Sequence, residues 1–174
     1  MEQFDILDIT GRPTGLVAEK GAALSCGQYY LGIHAYILSG ESSFLIQRRA
    51  LDKNFLPGGW DVHLGHVMAG ESSADCAIRE IREEIGLDVP PHTLQFAFRF
   101  LWEEYHHMVD VYFVDIEYAI ENLKLREREV IDVRSISAGE MLNMVSAMDY
   151  RPAEYREFVA SEITKRCFTK HEHF

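Results

Sequence analysis

Three glutamates spaced to share a helix face, Glu80, Glu83 and Glu84, are the first residues in this chain that could do chemistry. At the pitch of an α-helix they fall within about 100° of arc. Ala74, Ala77, Ile78, Ile81 and Ile85 form an apolar stripe beside them, so the helix packs by one side and presents acid on the next. Glu83 has Arg79 four residues back, and Arg79 has Asp75 four residues back, which reads as a surface ladder. Glu80 and Glu84 have no basic residue at helical spacing and neighbour each other, an arrangement that destabilises a helix by a few tenths of a kcal/mol. A solvated acidic face is the ordinary reading of such a cluster. A hard divalent cation held by oxygen ligands is the functional one, because it turns the repulsion into affinity.

The elements that must position these acids lie on either side. A glycine-bounded loop, Gly65 to Gly70, precedes the helix, and Ser72 with Asp75 fits an S-x-x-D capping box. That places the helix start near Ser72 and its end at Gly86. Upstream, Phe4–Ile9 and Gly15–Ala18 read as a strand pair, and Tyr30–Leu38 with Ser43–Gln47 as a hairpin. Residues 47–60 read as a loop carrying three cations, Arg48, Arg49 and Lys53, which suit a phosphorylated substrate beside a metal site. A solvated basic loop is the alternative, favoured for Arg48. Downstream, Leu94, Phe96, Phe98, Phe100 and Trp102 alternate strictly, as in a strand with one buried face; Val109–Ile116 and Glu129–Val133 follow as strands. Helices are expected at Ala138–Ala147 and Pro152–Arg166, with Pro152 near N1. Strands around one acidic helix, with helices at the end, imply an α/β fold with a mixed sheet covered on both faces.

Length and composition bound the function. A chain of 174 residues with 47% hydrophobic and 26% charged residues suits one globular domain. The formal net charge of −11 argues against a nucleic-acid backbone or an anionic membrane as partner. The N-terminus lacks an apolar targeting segment, and no apolar run reaches membrane-spanning length. Cys26, Cys76 and Cys167 show no C-x-x-C spacing, so a reduced, cytoplasmic protein is expected. Cys76 reads as a small buried residue. No H-x-x-x-H spacing supports a zinc site among His63, His66, His106 and His107, and His66 reads as a structural hydrogen-bonding group more readily than a phosphate contact. Lys170 to Phe174 read as a loose tail.

Residues 65–87 fill every fixed place of G-x5-E-x7-R-E-U-x-E-E-x-G-U (U aliphatic) with Gly65, Glu71, Arg79, Glu80, Ile81, Glu83, Glu84, Gly86 and Leu87. This resembles the box of the Nudix hydrolases. The resemblance implies a single Nudix domain over 1–174, an α/β/α sandwich with a mixed sheet. Within it, residues 1–30 form an N-terminal β-hairpin extension, 65–87 the box and 150–174 a C-terminal helix and tail. It also implies Mg²⁺, with Mn²⁺ as the alternative, held by Gly65, Glu80, Glu83 and Glu84. Catalytic roles then fall to Glu80, Arg79 and Glu83, acting on a small-molecule pyrophosphate such as a nucleoside diphosphate derivative. Arg79 would orient Glu80 or Glu83; the general base stays open between Glu80 and Glu103, Glu104 or Asp110.

Arg48-Arg49-Ala50-Leu51-x-Lys53, Pro57-Gly58, Trp60, Gly65-His66 and Gly70-Glu71-Ser72 further resemble the isopentenyl-diphosphate isomerases, a branch of the same fold. That likeness implies that Arg49 and Lys53 hold the substrate diphosphate. The isomerases place a catalytic cysteine where this chain has Leu64, and they depart from the glutamate pair kept here as Glu83 and Glu84. Leucine can serve neither as acid nor as base. A hydrolase of the isomerase-like subgroup is therefore expected, ahead of an isomerase or a silent nucleotide-binding module. The substrate and the oligomeric state, a homodimer included, stay open.

Overall fold

A computed structural model describes residues 2–40 and 42–168. Its centre is β3 (Tyr30–Ser39), whose near-continuous apolar run is buried on both faces, as a central strand requires. Along one edge β3 pairs in parallel with β8 (His107–Asp115), from Tyr30 opposite His107 to Leu38 opposite Asp115. Along the other edge its first half pairs with β6 (His63–His66) and its second half with β4 (Ser43–Arg49), both antiparallel. Strand β5 (Trp60–Asp61) and strand β9 (Val130–Ser137) pair with β4, and β7 (Leu94–Trp102) closes the far edge against β8. A separate two-stranded sheet, β1 (Gln3–Leu7) with β2 (Pro13–Glu19), is bridged to the main sheet at Leu7 and Tyr29.

The period of two along β3 sorts the core. Ile33, Ala35 and Ile37 face α1 (Ser73–Ile85) and pack with Cys76, Ala77, Ile81 and Ile85. Tyr36 and Leu38 face α2 (Ala138–Ala147) and α3 (Ala153–Cys167), packing with Met141, Val145, Tyr155, Val159 and Ile163. The result is an α/β/α sandwich, as expected. A buried polar network crosses the second layer. Arg151 Nη2 donates to both carboxylate oxygens of Asp61 at 2.7 and 2.8 Å, and its Nη1 donates to the Tyr155 hydroxyl at 3.2 Å. That hydroxyl also lies 2.6 Å from His34 Nδ1 and 3.0 Å from the Tyr36 hydroxyl.

Several local expectations are corrected. Arg48 and Arg49 lie at the end of β4 rather than in a loop, because β9 and β5 extend the ladder past Gln47. Strand β9 reaches Ser137, and the approach to the box is itself strand, β5 and β6. The aromatic row of β7 does not share one face. A register shift between Phe96 and Phe98 turns Phe96 toward Tyr112, with 55% of its surface exposed, while Phe98 and Phe100 pack on Tyr155. Pro152 is the N-cap of α3, one position before the first helical residue. The expected tail, Lys170 to Phe174, lies outside the described residues.

Candidate active site

The acidic helix is fixed at both ends. Ser72 caps it, its hydroxyl oxygen accepting from Asp75 N at 3.1 Å and its hydroxyl donating to the Asp75 carboxylate at 2.6 Å. Gly86 ends it in the left-handed conformation at φ 69°, and its N–H donates to Arg82 O at 3.0 Å. Two later backbone N–H groups, Lys124 and Arg126, donate to Ile85 O and Glu84 O, each at 2.8 Å. They satisfy terminal carbonyls that a helix leaves open and bind the segment before β9 to the acidic helix.

The carboxylates occupy three different environments. Glu80 lies directly on Gly65 of β6: a Cβ at position 65 would stand 2.3 Å from Glu80 Cγ. Burial pushes the Glu80 carboxyl up to about 7; Arg79 opposes the shift, and Glu84 and Glu83 add to it. Glu84 is 5% exposed, its Oε2 is 3.4 Å from His63 Nδ1, and that oxygen has no hydrogen-bond partner among the described residues. Glu83 sits at the rim, half-exposed, 3.4 Å from Arg126 Nη1 and 4.0 Å from Arg79 Nη1.

Arg79 keeps only the Glu83 side of the expected surface ladder, an ion pair at 4.0 Å, and directs its hydrogen bonds elsewhere. Its Nε and Nη2 donate to the Glu71 carboxylate at 2.7 and 3.0 Å, its Nη1 donates to Glu80 at 2.8 Å, and its Nη2 reaches His66 O at 3.3 Å. Glu71 also accepts from Met68 N at 3.0 Å, so one guanidinium ties the loop to the helix. Its hydrogen bonds to Glu71 are the largest of the contacts that hold its charge. Glu80 therefore has a basic partner after all, the adjacent residue, which helical spacing does not reveal. Asp75 is taken up by Ser72 instead.

Arg49 Nε donates to Phe55 O at 2.9 Å, and Lys53 forms an ion pair with Glu129, whose backbone carbonyl also accepts from Ala50 N at 2.9 Å. The segment from Lys124 to Glu129 thus touches both the acidic helix and the cationic stretch from Arg48 to Lys53, and it brings in Arg126, which the sequence reading did not single out. Its only sequence signal is a basic residue in a polar stretch before a strand.

The remaining candidates separate by environment. Asp110 is 2% exposed and held by Arg99 Nε and Nη2 at 2.6 and 2.8 Å, which ties up both oxygens. Glu103 and Glu104 lie exposed in a short turn after β7. His66 Nε2 is 3.1 Å from His107 Nε2; the ring is exposed on one side, yet the packing around it, with His107 next, removes enough hydration to pull His66 down to about 4. Cys76 is buried, and its thiol is pushed up by that burial.

No three of the histidine, cysteine, aspartate and glutamate side chains stand close enough together to hold an ion unaided among the described residues. The donor chemistry nevertheless fits a hard cation. An unpartnered buried oxygen on Glu84, a buried Glu80 lying in the space left by Gly65, and Glu83 at the rim are all oxygen donors. Water and substrate oxygens ordinarily complete a Mg²⁺ shell.

Comparison with known proteins identifies the family and the fold. Residues 29–160 match the model described as NUDIX domain. An uncharacterized Nudix hydrolase of Listeria monocytogenes is 30% identical over 153 residues, covering 87% of this chain and 89% of its own. An isopentenyl-diphosphate Delta-isomerase of Escherichia coli is 25% identical over 169 residues, covering 95% of this chain and 91% of its own. A crystal structure from Deinococcus radiodurans superposes with a TM-score of 0.71 over 96% of this chain and 99% of that one, at 16% identity, a likeness of fold.

Proposed function

Because the chain belongs to the Nudix hydrolase family, we propose that it is a Mg²⁺-dependent enzyme cleaving the pyrophosphate of a nucleoside diphosphate derivative or a related organic pyrophosphate. The single observation that carries this reading is the buried, unpartnered carboxylate oxygen of Glu84 beside Glu80 on one helix face. An acid kept there without a basic partner is costly unless a cation joins it.

Glu80, Glu83, Glu84 and the Gly65 carbonyl would hold the cation, with Mn²⁺ as an alternative. When bound it supplies charge neutralisation and Lewis-acid polarisation of the pyrophosphate oxygens. The chain's own groups do the rest. Arg79, locked on Glu71, orients the Glu80 carboxylate. Glu80 takes the proton of the attacking water, a role that Asp110 cannot share while Arg99 occupies both its oxygens. Arg49 and Lys53 hold substrate phosphate, Lys53 exchanging its Glu129 partner for the more highly charged ligand. The half-exposed Arg126 stands where it can join them.

The isomerase relative raises a second reading. Leu64 packs among the residues facing α2 and α3, whereas Glu80 lies on the opposite face against Gly65. A leucine there supplies no proton in either direction. No helix among the described residues is long and apolar enough to cross a membrane. A reduced compartment, the cytoplasm, suits three cysteines that form no disulfide.

A hydrolysis screen with Mg²⁺ over nucleoside diphosphate sugars, dinucleotides, nucleotides, coenzyme A and prenyl diphosphates tests the proposal, with Glu84→Gln as control. Turnover by the wild type and its loss in the control are expected. Equal inactivity of both on every class would sink the hydrolase reading, and dimethylallyl diphosphate formed from its isomer would replace it with the isomerase.

A further inference from the structure

The floor of the site holds a group that the proposed chemistry leaves unused. His63, opposite Ala35 in the β6–β3 ladder and two residues before Gly65, is wholly buried. Neither of its ring nitrogens has a hydrogen-bond partner among the described residues. Its Nδ1 lies 3.4 Å from Glu84 Oε2, the same oxygen that lacks a partner. On β4 the buried Gln47 donates through Nε2 to Val62 O at 3.5 Å and leaves its Oε1 unmet.

Buried polar atoms are nearly always bonded, and each one left unmet costs about 1–3 kcal/mol. A valine or leucine at position 63 would fill the same core at no such cost. An unmet ring nitrogen and an unmet carboxylate oxygen lie side by side here, just beyond the usual N–H···O separation of about 2.7–3.2 Å. A small shift and reorientation of the Glu84 side chain would make the bond.

We propose that His63 is a positioning residue for Glu84, donating its Nδ1 proton to Oε2 and so fixing the carboxylate for divalent-cation binding. This rests on the cation site of the proposed function and adds to it a residue outside the acidic box. Carboxylates and imidazoles that ligate metals are themselves held by outer hydrogen bonds, whose loss weakens affinity by about 10–100-fold. His63 supplies that hold from the strand beneath, so the rigid sheet rather than the helix alone sets where Glu84 stands.

Direct Mn²⁺ binding by the full chain, followed by electron paramagnetic resonance without substrate, tests the idea. His63→Leu removes the donor, His63→Asn keeps an amide N–H near the place of Nδ1, and His63→Gln moves it to the place of Nε2. Leu and Gln are expected to weaken Mn²⁺ binding about tenfold or more and Asn by much less, with no further loss when His63→Leu is added to Glu84→Gln. Should the Leu variant fail to fold, the contrast between Asn and Gln decides. Equal affinity in all four proteins, equal weakening by Asn and Gln, or a full loss from His63→Leu in the Glu84→Gln background would each overturn the assignment. Wild-type protein that binds no Mn²⁺ would overturn the cation site as well, whereas wild-type binding with unaffected His63 variants overturns this assignment alone.

Discussion

A methyl group at position 65 would stand 2.3 Å from Cγ and 2.8 Å from Cδ of Glu80, so the Glu80 carboxylate occupies the volume that any other residue would need. Gly65→Ala is therefore expected to push Glu80 off its position and lower kcat on the order of 100-fold, the usual consequence of misplacing a reacting group by about 1 Å. Circular dichroism should show the fold retained. Glu84 carries a different prediction. Glu84→Gln removes a buried negative charge while its amide oxygen can still accept from His63, so it should stabilise the cation-free protein by about 1 kcal/mol, seen as a melting point about 2–4 °C higher. Mg²⁺ should then raise the melting point of the wild type and leave that of the variant unchanged. A lower melting point in cation-free Glu84→Gln would show that the buried charge is balanced without metal.

At the scale of the element, the box helix shows what local sequence encodes well. Ser72, the apolar stripe and Gly86 set its limits by capping and period, and the structure begins and ends it at Ser73 and Ile85. Ser72→Ala should cost about 1 kcal/mol in a urea melt, the usual worth of such a cap. Strand β7 shows the opposite case. Its alternation is perfect in sequence, yet one register shift puts Phe96 and Phe98 on different faces, because the edge strand must satisfy β8 on one side and α3 on the other. Strands β5 and β6 are too short to show a period. They exist because β4 and β3 offer ladder partners, and the pairing positions both Gly65 and His63 under the helix.

For the whole molecule, Asp61 and Arg151 join the strand before the box to the junction of α2 and α3, 90 positions apart in sequence and almost fully buried. Removing one partner leaves the other charge without compensation in the core. Asp61→Asn is expected to cost about 3–5 kcal/mol in chemical denaturation. His34 belongs to the same network, and burial, with Arg151 beside it, holds its pKa well below the usual histidine value. The unfolded chain takes up a proton at His34 near pH 6.5, and the folded chain does not. The contribution of His34 to stability is thus complete above about pH 6.5 and is lost as pH falls, by at most about 1.4 kcal/mol per pH unit. His66 and His107, whose pKa values are also lowered, add slope of the same sign. His34→Gln should flatten the dependence, measured as the difference between urea melts at about pH 7.5 and about pH 5.5.

The amino-acid sequence by itself determined the acidic helix, its caps, the longer strands and the family. Each of these rests on a local rule, hydrogen-bond geometry within a turn or a period of 2 or 3.6 residues. Only the tertiary structure decided how the charges are matched. Arg79 gives its hydrogen bonds to Glu71 and Glu80, Lys53 finds Glu129 at a separation of 76 residues, and Arg126 joins Glu83. His63 comes to lie beneath Glu84 through strand pairing alone. Partners at such separations are chosen by which surfaces pack together, and no local period carries that information. The box places its carboxylates on one helical face; the sheet beneath decides which of them stays unpartnered and buried.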